Sequence, residues 1–100
     1  MEQTTNQGAN TLKRKFPAGI ILTTPGVLET FEMSDVTSAL ERHFRCDWGD
    51  MSVTDKKAND QALEDGARLF SGYKVKGKGK LWIITEGDRS ATTIMLPSEY

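Results

Sequence analysis

The sequence predicts an α+β domain: two or three N-terminal helices packed on a C-terminal three- to four-stranded antiparallel meander. Three observations predict it. Val36, Leu40 and Phe44 recur every four residues with Ala39 beside them, the stripe of an amphipathic helix. From Ala67 onward the period changes from helical to alternating. Two breaker runs, Lys76-Gly77-Lys78-Gly79 and Glu86-Gly87-Asp88-Arg89, then cut the alternating region into three strand candidates.

Residues 1–11 (MEQTTNQGANT) hold almost nothing to bury, so ordering them has no compensating gain, and they read as a flexible tail ahead of a single domain over 12–100. The basic run Lys13, Arg14, Lys15 leads through Phe16 and Pro17 into Gly19 to Thr23, a short strand or extended arm suited to the edge of the sheet. Thr24-Pro25 is a helix start, since the hydroxyl accepts a free N–H and proline lacks one where none is needed. That helix runs to about Phe31. Ser34 and Asp35 open the next, which carries the Val36 stripe.

Cys46-Asp47-Trp48-Gly49-Asp50 breaks the pattern and reads as a loop pinned by Trp48. Ser52 and Asp55 are spaced as a capping box ahead of a helix bearing Ala58, Ala62 and Leu63, which Gly66 ends. The strands follow over 68–75, 81–86 and 91–96. Leu81, Ile83 and Thr85 share one face of the middle strand, and Trp82, Ile84 and Glu86 the other.

Composition narrows the function. One hundred residues, 37% hydrophobic and 27% charged, suit one small core. Thirteen Lys and Arg against fourteen Asp and Glu give no general attraction for polyanions, so any such site must be local. The lone Cys46 forms no internal disulfide, which points to a cytoplasmic setting and to a small packed side chain rather than a nucleophile. The longest apolar stretch, Ala18 to Leu22, is far short of the roughly 20 residues of a membrane span, and the polar N-terminus lacks the apolar region of an export signal. No membrane partner is expected.

Two clusters could carry function. His43, the only histidine, lies on the flank of the helical stripe, where it could exchange protons at the rim of a cleft. Arg68, Ser71, Tyr73, Thr85, Arg89, Ser90, Thr92 and Thr93 lie on or between strands. In a phosphodiester-binding site arginine could clamp the phosphate while hydroxyls orient the scissile group and histidine moves the proton, with no metal. The bland alternative is a surface histidine at a helix end beside ordinary strand threonines. The second cluster is a hairpin with Lys74, Lys76, Lys78 and Lys80, flanked by Tyr73 and Trp82. Cations beside aromatics can hold a phosphate backbone and stack a base, although lysines also protect a strand edge from stray pairing. No calcium loop, Cys/His zinc set, phosphate loop or dinucleotide glycine motif occurs, so neither metal nor cofactor is expected.

Asp47-Trp48-Gly49-Asp50, Asn59-Asp60 and the ending from Ile84 to Tyr100 resemble a family of short, largely uncharacterised bacterial proteins that travel with plasmids and other mobile elements. The resemblance spans about residues 16–100. Some members are labelled type I restriction-modification M subunits, but this chain lacks the N-P-P-Y and glycine-rich motifs of a methyltransferase. In the absence of catalytic motifs, the expectation is a small non-enzymatic binding or regulatory protein of mobile-element origin, monomeric or weakly dimeric, with a protein or nucleic-acid partner reached through the Tyr73 to Trp82 hairpin. At the level of architecture alone, helices followed by a meander are also similar to barnase-like and mRNA-cleaving toxins, which would make His43, Arg68, Thr85, Arg89 and Thr92 a ribonuclease site.

Overall fold

The computed structural model describes residues 14–100, and the tail expected over 1–11 lies outside the described residues. The element order is β1 (Ile20–Thr23), α1 (Pro25–Thr30), α2 (Met33–Phe44), α3 (Val53–Asp65), β2 (Leu69–Val75), β3 (Gly79–Thr85) and β4 (Ala91–Met95), ending in a 3-10 turn over Pro97–Glu99. The architecture is α+β, with three helices ahead of the last three strands.

The helix ends follow local chemistry. Thr24 Oγ1 accepts from Val27 N, with Pro25 opening α1. Ser52 Oγ accepts from Asp55 N at 3.0 Å to start α3, and Gly66 ends it at φ 74°. Helix α2 begins one residue before the expected Ser34, because Asp35 Oδ2 accepts the backbone N–H of Glu32 at 3.0 Å and makes Glu32 the capping residue.

The sheet has the order β1-β4-β3-β2. Strands β2, β3 and β4 form the expected antiparallel meander, but β1 pairs with β4 in parallel, Ile20 opposite Ala91 and Thr23 opposite Ile94, so the sheet is mixed. Three helices and strands β2 and β3 intervene between β1 and β4, a connection long enough to permit parallel pairing.

Leu69, Ser71 and Tyr73 of β2, Leu81, Ile83 and Thr85 of β3, and Thr92 and Ile94 of β4 form the inner face, and all are buried. Val27, Phe31, Val36 and Ala39 pack on its upper half. Phe16, Ala18, Phe44, Trp48 and Ala62 pack around Leu69 on its lower half. The outer face carries Phe70, Gly72, Lys74, Lys80, Trp82, Ile84, Thr93 and Met95; Ile84 is buried there, and Tyr100 lies against Phe70 and Trp82.

Candidate functional site

His43 points into the core and is completely buried, not at the rim of a cleft. Its Nδ1 meets Ser71 Oγ at 2.5 Å and its Nε2 meets Thr85 Oγ1 at 2.8 Å. Thr85 Oγ1 lies 2.8 Å from Thr92 Oγ1, which donates to the Ala18 carbonyl, also at 2.8 Å. The carbonyl only accepts, so it sets the direction of the whole chain. Thr92 spends its proton on Ala18, Thr85 must donate to Thr92, and Nε2–H of His43 must donate to Thr85. Burial keeps the ring neutral, so Nδ1 accepts from Ser71. Each hydroxyl proton is used and the imidazole is neutral.

Burial, reinforced by the positive charge of Arg89, pushes the His43 pKa down to about 3. Phe16, Phe44 and Trp48 surround the ring, with centroids at 5.3, 5.8 and 5.7 Å. Ser71, Thr85 and Thr92 are as buried as the histidine, so the four side chains have no surface on which a phosphodiester could rest.

The arginines do not join them. Arg89 sits at φ 61° in the turn before β4, and its guanidinium donates to the carbonyls of Ala67 (2.7 Å), Glu86 (3.1 Å) and Ala62 (3.2 Å). It ties that turn to the C-terminal end of α3, where a positive charge complements the helix dipole. Arg68 is exposed beyond the other side of the sheet, 3.6 Å from Glu86 and 3.1 Å from Tyr100 Oη. The structure therefore brings together His43, Thr85 and Thr92 as a core network and leaves Arg68 and Arg89 outside it. Ser90 and Thr93 are also outside; Ser90 N donates to the Asp88 carboxylate at 3.0 Å.

The lysine-rich hairpin is likewise divided. Tyr73 faces inward, 2% exposed, donating to the Asp47 carbonyl at 2.7 Å under the guanidinium of Arg42, so it is not part of an outer surface. Burial raises its phenol pKa. Lys78 is paired with Asp35 at 2.8 Å, and Lys76 borders a shallow hollow with Asp35, Ser38 and Arg42 on the α2 side. Lys74 and Lys80 stand opposite one another in the register of β2 and β3, on the outer face with Trp82.

That outer face holds a feature the sequence reading missed. Phe70 and Trp82 meet edge to face at 4.8 Å, and Tyr100 lies 5.8 Å from Phe70 and 5.7 Å from Trp82. Gly72 makes room for the indole: a methyl group there would come within 3.2 Å of Trp82 Cδ1 and 3.5 Å of Met51 Sδ. Beside them runs an open groove of about 570 Å³. Phe70 and Trp82 floor it, Met51, Ser52, Asp55 and Ala58 at the start of α3 wall it, and Arg68 and Lys80 stand at its margin. The signal was available, since Phe70, Trp82 and Ile84 occupy one phase of the strand alternation.

The Asp47-Trp48-Gly49-Asp50 string serves the edge of β2. Asp47 takes two bonds from Arg42, at 2.7 and 3.2 Å, and its carboxyl pKa is lowered by them. Trp48 fills the lower core and donates to Asp60 at 3.0 Å. Gly49, at φ 74°, bridges to Gly72, where a side chain would strike the Gly72 carbonyl and the Tyr73 ring. Cys46 is half-buried, and burial raises its thiol pKa, the opposite of an activated nucleophile. Among the described residues no group of His, Cys, Asp and Glu is placed to hold a metal, and no helix is long and apolar enough to cross a membrane. Compared with family models, curated proteins and solved structures, the chain matches none.

Proposed function

We propose that this chain is a small non-enzymatic binding protein that engages a single-stranded nucleic acid through the outer face of its sheet. The observation that carries the reading is the Phe70, Trp82 and Tyr100 cluster beside a groove edged by Arg68 and Lys80. Every base offers a π-face to an aromatic platform, and flanking cations hold the phosphates that run between stacked bases. With only Lys74, Lys80 and Arg68 near the platform, and Asp50 and Asp55 on the opposite wall, binding is stacking-led and its salt dependence shallow. A regulatory role in the cytoplasm of a bacterium carrying a mobile element is the setting we propose, on the resemblance described above.

Hydrolysis of RNA finds less support in the geometry. A general base needs reach to its substrate, and His43 is sealed in the core with both ring nitrogens engaged.

The test is fluorescence anisotropy of labelled single-stranded RNA and DNA oligonucleotides of mixed sequence, with wild type, Trp82→Ala and Lys80→Glu. Wild-type binding should weaken at least tenfold in Trp82→Ala and severalfold in Lys80→Glu. Binding indifferent to both changes, or no binding at all, sinks the reading. So does cleavage of the RNA in EDTA that disappears in His43→Ala.

A further inference from the structure

The two edges of the sheet are treated differently. On the β2 edge, Asn59 exchanges two bonds with Phe70, Nδ2 to the carbonyl at 2.7 Å and Phe70 N to Oδ1 at 3.0 Å. Gly72 N donates to the Trp48 carbonyl at 3.3 Å, and Asp50 N donates to the Gly72 carbonyl at 2.7 Å. Lys74 N donates to Asp50 Oδ2 at 2.9 Å. From Phe70 to the N–H of Lys74 that edge is closed to any further strand.

The β1 edge is open among the described residues. Ile20 N donates to Ser90 O and Thr24 N to Ile94 O, so by the alternation of a parallel pair the backbone groups of Ile20, Leu22 and Thr24 turn toward β4. Those of Ile21 and Thr23 turn outward, and no described residue meets them. Around them the side chains are apolar and uncovered: Ile20 is 67% exposed, Ile21 39% and Leu22 49%. An exposed apolar edge strand pairs with other strands unless something blocks it, and no charge or proline in β1 does so.

We propose that β1 is a self-association edge, pairing antiparallel with β1 of a second copy about a two-fold axis through Leu22. Two features select that occupant. First, outward groups at Ile21 and Thr23 are in phase with such an axis: Ile21 faces Thr23 of the second copy, each exchanging both its N–H and its C=O, and Leu22 meets its own mate in a non-hydrogen-bonded pair. Second, the closed β2 edge leaves β1 as the edge through which two copies can pair and stops growth after one pairing, so the product is a closed dimer and not a fibre.

The axis stands perpendicular to the sheet, so both outer faces lie on one side of a continuous sheet. The row Leu22, Thr93, Ile84, Phe70 then runs on into its mate. A strand of four residues buries less than the roughly 800 Å² per partner of a standard interface, so the dimer is weak and concentration-dependent. The inference holds whatever the outer face binds.

Sedimentation equilibrium on the full chain over a wide concentration range reads the association directly. Wild type should shift from monomer to dimer, and Leu22→Lys, which sets two like charges at the axis, should stay monomeric. Cysteine crosslinking in a Cys46→Ser background reads the register. Leu22→Cys places its sulfur against its mate across a Cα spacing of about 4.5 Å and should crosslink under mild oxidation. The more exposed Ile20→Cys is roughly 14 Å from its own mate and should not. A wild type monomeric at every concentration, a Leu22→Lys dimer, or equal crosslinking of both cysteines would overturn the proposal.

Discussion

His43 Nε2 and Thr85 Oγ1 lie 2.8 Å apart at a place where neither touches solvent, and the histidine is the donor. That assignment follows from the Ala18 carbonyl at the far end of the chain of bonds, and burial makes the imidazole a neutral element of the core. The folded protein holds the His43 pKa near 3, against about 6.5 in the unfolded chain. Above pH 6.5 both states are neutral there and stability does not respond to the group. As pH falls below 6.5 the unfolded chain takes up the proton and the folded one does not, so stability drops by about 1.4 kcal/mol per pH unit. Urea unfolding at pH 7.5, 6.0 and 5.0 should show this decline. In His43→Gln, less stable at every pH, the curve between 7.5 and 5.0 should be nearly flat; an equal slope in both proteins rules the explanation out.

Thr85 accepts from His43 and donates to Thr92, so its hydroxyl cannot be removed quietly. Thr85→Val is nearly isosteric, yet it strands the Nε2–H of His43 and deprives Thr92 of its donor in the core. A loss of about 1–3 kcal/mol is expected from the urea midpoint. A change within experimental error would mean that the network is not formed in solution.

Arg89 acts at two ranges. Arg89→Lys keeps the charge but cannot fan across the carbonyls of Ala62, Ala67 and Glu86, and should cost about 1–2 kcal/mol. Arg89→Gln removes the charge as well, and with it one of the two causes of the low His43 pKa, which must then rise. The acid-induced loss of stability in Arg89→Gln should accordingly level off at a higher pH than in Arg89→Lys. Identical acid profiles would show that burial alone sets the histidine.

The parts of this fold that were legible are those decided by neighbours in sequence. Thr24 with Pro25, Ser52 with Asp55, and Gly66 are local signals, and each ends or begins a helix where expected. The parallel pairing of β1 with β4 was not, because it joins Ile20 to Ala91 across the whole chain and no local pattern encodes it. His43 was readable in a different way. Val36, Ala39 and His43 run at i, i+3 and i+7, a second line of the helical stripe that points inward. Ser71, Thr85 and Thr92 likewise lie in phase with Leu69, Ile83 and Ile94. Reading polar residues as surface groups hid a site in which each one has its partner.

Asn59 offers the sharpest check on how the β2 edge is closed. Its amide imitates a neighbouring strand, giving Phe70 an acceptor for its N–H and a donor for its carbonyl. Asn59→Ala leaves both backbone groups to water and should cost about 1–2 kcal/mol, with faster hydrogen exchange at the Phe70 amide. Asn59→Asp is the more telling change. One carboxylate oxygen can still take the Phe70 N–H, but the other now faces the Phe70 carbonyl, acceptor against acceptor. Near neutral pH it should therefore be less stable than Asn59→Ala despite its closer shape, and it should recover as acid protonates the carboxyl and restores a donor. If Asn59→Asp matches wild type at pH 7, the side chain does not pair with the strand, and the edge is held by Trp48 and Asp50 alone.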